Sequence, residues 1–305
     1  DNMFLGIDVG GSTSDILLLA KDQNNGNKSS LYRESSVRIA AGVFFNAVIK
    51  SESFRQALVS FHEGRKTKVF VTGLLLFYSG MLIGKTIKTE KMDHIRRVDV
   101  LSFGKGGRLF HWLRSSATQR VTNEYYEKCL NAGVNLVTEK NLEVKYRDEI
   151  EINNKAEVAM GLVDAKELIK KQQEVDSDIC GETGVKYIMD DGTPKELQTE
   201  DELTGEYFAN EMNKFDFSGV TNFEKFMEIF IDFVSQKTRL YPQADNLREE
   251  LADLPNRITS YICNNDDEYR KARRTQGDDF TYHQPIIIAE GACFLDTLIK
   301  KAFNQ

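Results

Sequence analysis

The sequence predicts an α/β fold followed by a largely helical C-terminal region, on three observations. The N-terminus carries a meander of short apolar strands, Phe4–Val9, Ile16–Leu19 and Leu31–Ile39, separated by Gly- and Asn-rich turns. A strand followed by a glycine loop and a helix start recurs at residues 98–113. Helical spacing of apolar residues dominates 54–90 and most of 199–260. The 305 residues suffice for one large domain or two ordinary ones, and the 41% apolar share is that of a chain with a real core.

The first strand, Phe4, Leu5, Ile7 and Val9, reads as buried on both faces. Gly10 and Gly11 end it with residues that tolerate positive φ and allow close backbone approach to a ligand. Ser12, Thr13 and Ser14 add hydroxyls and N–H groups, and Asp8 and Asp15 bracket the turn. Successive N–H groups in such a turn form a concavity for anionic oxygens. An Asp at the preceding strand end can hold hydrated Mg²⁺ or orient a water against a terminal phosphate. On spacing alone, an ordinary hairpin in which both Asp residues serve the turn fits as well.

The loop Asp8-Val-Gly-Gly-Ser-Thr-Ser-Asp15 resembles the second phosphate-binding motif of the actin, heat-shock chaperone and sugar-kinase ATPase superfamily. The resemblance implies an actin-like ATPase lobe, ribonuclease H-like in its fold, with a mixed sheet and helices on its faces. It implies ATP or ADP with Mg²⁺ as ligands. Asp8 would act as the catalytic residue near metal and water, and Gly10, Gly11, Ser12 and Thr13 would touch the phosphates. Asp15 would lie near phosphate or stabilise the turn. In that superfamily the motif opens the second of two similar lobes, so a first lobe of the same protein is the expected partner.

Val98–Phe103, then Gly104, Lys105, Gly106 and Gly107, then a helix through Trp112 and Leu113, resembles the superfamily's adenosine motif. A glycine loop there lets backbone approach a flat or anionic ligand beside a helix N-terminus. Ile286–Ile288 followed by Gly291 and Ala292 reads as another strand, glycine turn and helix, and is the alternative adenosine loop. The earlier loop is preferred because a strand at Leu142–Tyr146 and a small-residue helix at Asn154–Val163 follow it in superfamily order. The resemblance covers residues 1–170; residues 171–305 read as a mainly helical extension or insertion ending in strand, turn and helix. Within it, Val185, Tyr187 and Met189 alternate as a strand, and Phe223, Phe226, Met227, Phe230, Phe233 and Val234 form a core stripe.

Other chemistries find less support. Ser79–Thr86 misses a P-loop by its first glycine, and Met81, Leu82 and Ile83 are too bulky to wrap phosphate, so a core helix with Lys85 at a solvated end is expected. The run Val69–Ile83 falls short of the roughly 20 apolar residues of a membrane span. The 4 histidines, His62, His94, His111 and His283, show no zinc-hydrolase spacing. The 4 cysteines, Cys129, Cys180, Cys263 and Cys293, form no C-x-x-C pair, which fits a reducing cytoplasm. A two-metal nuclease built on Asp8 and Asp15 would need further strand-end carboxylates that the sequence does not mark. A net charge of -7 argues against nucleic acid as the main partner. The expected function is nucleotide binding coupled to lobe movement, with ATPase or phosphotransferase chemistry only in a longer protein, since one phosphate loop grips from one side. The rival expectation is a scaffold or protein-interaction module that keeps the fold without the chemistry.

Overall fold

The computed structural model describes residues 2–10, 13–21, 29–39, 63–103, 119–146, 179–189, 191–201, 215–217, 221–236, 246–258 and 285–303. The chain divides into two compact units, Asp1–Asn46 with Leu75–Ser177, and Ala47–Leu74 with Asp178–Gln305. Residues 47–74 thus belong to the second unit together with 178–305. The reason lies in the long helix α1 (Glu63–Thr89), whose apolar residues run all round it. Its first half supplies one core and its second half another.

The first unit is α/β, built on a five-stranded mixed sheet of β1 (Asn2–Val9), β2 (Ser14–Lys21), β3 (Ser29–Val37), β4 (Arg97–Phe103) and β5 (Glu143–Tyr146). The strand order is β3-β2-β1-β4-β5. The meander β1–β2–β3 is antiparallel, whereas β4 runs parallel to both β1 and β5. Met3, Leu5, Ile7 and Val9 are fully buried and alternate with the half-buried Asn2, Phe4 and Asp8. The first strand thus buries one face completely and the other in part, instead of both equally.

On the fully buried face, α1 meets β3 through polar contacts as well as apolar ones. Arg33 Nε donates to Thr86 Oγ1 at 3.1 Å, and Ser35 Oγ lies 3.4 Å from Tyr78 Oη. Thr86 in turn donates to the Leu82 carbonyl at 2.8 Å, so its hydroxyl serves both partners. Lys85 is buried, not at a solvated end as the sequence suggested, because α1 continues past it to Thr89. The helix stops at Lys91, which takes the left-handed conformation (φ 53°) while Met92 N–H closes back onto the Ile87 carbonyl at 2.9 Å. By length and composition Lys66–Thr89 could cross a membrane, but its most apolar window is wholly buried within the protein.

Helix α2 (Gln119–Asn135) crosses α1 at backbone contact. A Cβ on Gly133 would fall on the Phe77 carbonyl oxygen, and one on Gly80 would fall on that of Leu130. At Gly84 a Cβ would approach the Val134 carbonyl oxygen to 2.9 Å. Asn131 then fastens α2 to the segment entering β5, accepting from Leu142 N–H at 2.7 Å and donating to the Leu142 carbonyl at 3.0 Å. Gly133→Ala is expected to force the helices apart and lower stability by about 1–3 kcal/mol, the usual cost of overpacking. Urea denaturation followed by far-ultraviolet circular dichroism checks this, and an unchanged midpoint would mean that the crossing yields freely.

The second unit carries a small antiparallel sheet in the order β7-β6-β8, from β6 (Lys186–Ile188), β7 (Pro194–Glu196) and β8 (Phe215–Asp216). Gly181, Gly184 and Gly192 have positive φ and make the turns around it. Its helices are the first half of α1, then α3 (Thr221–Gln236), α4 (Asn246–Ala252) and α5 (Ile286–Phe303). Of the expected stripe on α3, Phe223, Phe226, Met227, Phe230 and Val234 are buried, while Phe233 is half-buried. Phe70 of α1 sits among Phe223, Phe226, Phe230 and Phe294, at ring-centroid distances of 6.5, 5.4, 5.3 and 5.6 Å.

The expected strand at Ile286–Ile288 is instead the first turn of α5. Pro285 starts that helix, its carbonyl accepting from Ala289 N–H at 3.0 Å. Gly291 and Ala292 therefore lie inside a helix and form no loop. Gly291 is there for space, since a Cβ would run into the Leu74 side chain.

Candidate functional site

The carboxyl end of β1 gathers the charged residues that the sequence singled out. Across the sheet, Ser36 of β3 pairs in register with Asp15 of β2, Asp15 with Asp8 of β1, and Asp8 with Phe103 of β4. Ser36, Asp15 and Asp8 form one row on the face opposite the fully buried one. Because β1 and β4 are parallel neighbours, both strands finish at this end. The chain leaves β1 toward β2 on one side and leaves β4 toward β5 on the other. Carboxyl ends at which neighbouring parallel strands diverge leave a crevice, the usual ligand position in open α/β sheets.

Asp8 is half-buried, and burial first, then the charge of Asp15, holds its carboxyl above the ordinary aspartate range. Asp15 accepts a hydrogen bond from Ser36 Oγ at 2.6 Å. Ser14, next in the chain, turns the other way and donates to the Ile39 carbonyl at 2.5 Å. Two carboxylates thus project from paired strands, one oriented by a hydroxyl and the other free of such a bond among the described residues. Among those residues no group of three or more His, Cys, Asp or Glu side chains could converge on a metal ion. Two carboxylates fit a Mg²⁺ that keeps most of its waters, and do not fit an all-protein cage.

The turn differs from the expected anion cradle at one position. Gly10 N–H donates to the Thr13 carbonyl at 2.9 Å, which closes the hairpin and uses that amide internally. Nor does Gly10 adopt positive φ; the glycines that do, among the described residues, are Gly181, Gly184 and Gly192. What requires glycine at position 10 is proximity, since a Cβ would stand 2.9 Å from the Thr13 carbonyl oxygen. Gly11 and Ser12 lie outside the described residues, as do Gly104, Lys105, Gly106 and Gly107, although the last loop begins directly after Phe103. The expected helices through Trp112 and Leu113 and at residues 154–163 are likewise outside them. Gly291 and Ala292, the alternative adenosine loop, are in α5 of the second unit and take no part in this row.

Compared with known proteins, the chain matches no family model, no curated protein and no solved structure. Function must therefore be argued from the site itself. Ser36 was missed by sequence reading, although a signal existed. Once Ile16 and Leu18 are set on the core face, the antiparallel register carries a β3 hydroxyl beside Asp15.

Proposed function

We propose that the first unit binds ATP or ADP with Mg²⁺, as the second lobe of an actin-like ATPase, and couples nucleotide state to movement against a first lobe. The observation that carries this reading is the register of Asp8 against Phe103. It sets Asp8 beside Phe103, which directly precedes the Gly104–Gly107 loop in the chain, as a ligand held at one end by phosphate and at the other by its base would need. The antiparallel meander followed by the parallel β4 and β5 supports the same reading. Asp8 and Asp15 would hold the hydration shell of Mg²⁺, which supplies positive charge to the phosphates. Thr13 would face the same phosphates with its hydroxyl.

The paired Gly10 amide favours a second reading, a scaffold that retains the fold without nucleotide. Thermal denaturation with Mg²⁺ and ATP or ADP separates the two. A ligand at a hundredfold excess over its Kd stabilises by about 2.7 kcal/mol, on the order of 5–10 °C for a unit of this size. A shift of that kind is expected with nucleotide and Mg²⁺ together. A folded sample whose melting does not move at millimolar nucleotide overturns nucleotide binding by this chain and leaves the scaffold.

A further inference from the structure

Within the second unit two glutamates meet in the core. Glu182 is fully buried in the loop after Gly181. One of its oxygens accepts from Thr183 N–H at 2.9 Å and Asn222 N–H at 2.6 Å, and the other from Phe223 N–H at 2.9 Å. The last two amides belong to the first turn of α3, so Glu182 caps that helix through space. Asn222 strengthens the joint, donating to Thr199 Oγ1 at 2.7 Å and to the Gly181 carbonyl at 3.2 Å.

Glu290 lies on α5, fully buried, and its carboxyl faces that of Glu182. Among the described residues no donor reaches either oxygen of Glu290. A buried carboxylate with no donor, set against a second carboxylate, is untenable as an anion. Glu182 accepts three N–H bonds and has reason to stay ionised; Glu290 has none and must hold a proton, which it can donate to Glu182. Among the described residues, the titratable groups bearing on the pair are Cys180, Glu224 of α3 and Cys293 of α5, with Asp201 beyond Cys180. All are acids, and none supplies a counter-charge.

We propose that Glu182 and Glu290 form a one-proton latch that closes α5 onto the N-terminus of α3 when the proton is present and releases it when the proton is lost. This inference is independent of nucleotide binding. Burial, then the neighbouring carboxyl, pushes Glu290 well above the ordinary glutamate range, and burial raises Glu182 too, so that the two carboxyls titrate as a pair that retains one proton. The folded pair therefore keeps a proton that the unfolded chain gives up. Its contribution is complete below the unfolded glutamate range and is lost as pH rises through the folded values. While only the folded form holds that proton, the closed-to-open ratio falls about tenfold per pH unit.

Two measurements test the latch. In the wild-type chain, protection of the Asn222 and Phe223 amides from hydrogen exchange, corrected for the intrinsic pH effect, should fall between about pH 5 and pH 8. Protection that does not change over that range overturns the proposal. In Glu290→Gln, the amide replaces the proton donor toward Glu182, so protection should persist and lose its pH dependence. A Glu290→Gln protein that folds and shows the wild-type fall would assign the proton elsewhere and overturn it equally. Should the variant not fold, the wild-type measurement alone decides.

Discussion

Phe70→Ala is expected to cost the second unit about 3–5 kcal/mol, the range for removing a buried aromatic ring from a packed core. The ring meets four others, with Phe226 and Phe230 edge-on at 5.4 and 5.3 Å and Phe294 stacked at 5.6 Å. Those partners come from α3 and α5, so the hole would open at the joint of three helices, where no single side chain can swing in to fill it. Edge and stacking geometry add to the area lost. Phe70→Leu keeps most of the volume and should cost far less. Because Phe70 belongs to the second unit, hydrogen exchange should loosen first in α3 and α5 and leave β1, β2 and β4 protected. A loss below about 1 kcal/mol, or one spread evenly over both units, would mean that this cluster is not the core it looks like.

That residues 47–74 join the second unit is not written in the sequence, and the same helix is the reason. α1 is apolar on every side, so no stripe tells which face meets which neighbour. The rings that claim its first half sit far along the chain on α3 and α5, and pairing across such a distance is not written in local pattern. The meander was legible because Met3, Leu5, Ile7 and Val9 keep a period of two and glycine or asparagine marks each turn. The Phe223–Val234 stripe was legible for the analogous helical reason. Ile286–Ile288 was not: a short β-branched run fits a strand or a buried helix equally, and the burial of Phe294 and Leu295 beyond it favours the helix. Pro285 immediately before it was the overlooked mark.

At the candidate site, residue types were legible and hydrogen-bond use was not. Asp8 and Asp15 stood out, but that Gly10 spends its N–H on Thr13 depends on how tightly the hairpin closes. Glu290 went unnoticed because one acid in an apolar helix is ordinarily a surface residue. Its neighbours on every side, Ile287, Ile288, Phe294 and Leu295, are fully buried, and an acid within such a run is the signal to look for.

Asp8→Asn should leave the fold intact or slightly stabilised while abolishing the melting shift given by Mg²⁺ with nucleotide. The sign follows from the position of the residue. Burial and Asp15 raise the Asp8 carboxyl above its ordinary value of 3.8, so the folded state favours its neutral form. An acid raised on folding contributes stability below its unfolded range and loses it as pH climbs through the folded value. Near neutral pH the ionised Asp8 is therefore a small liability, which a neutral amide of the same shape removes. Asn cannot neutralise a cation or polarise its bound water as a carboxylate does, so a role in metal and phosphate handling would be lost outright. In a longer protein that hydrolyses ATP, turnover should fall by a hundredfold or more, about 3 kcal/mol of barrier. A residue kept for the hairpin alone would behave in the opposite way, losing stability on substitution and leaving the nucleotide response as it was. Melting temperatures of wild type and Asp8→Asn, each with and without Mg²⁺ and ADP, distinguish the two, because a ligand role removes the nucleotide response on substitution whereas a hairpin role removes stability.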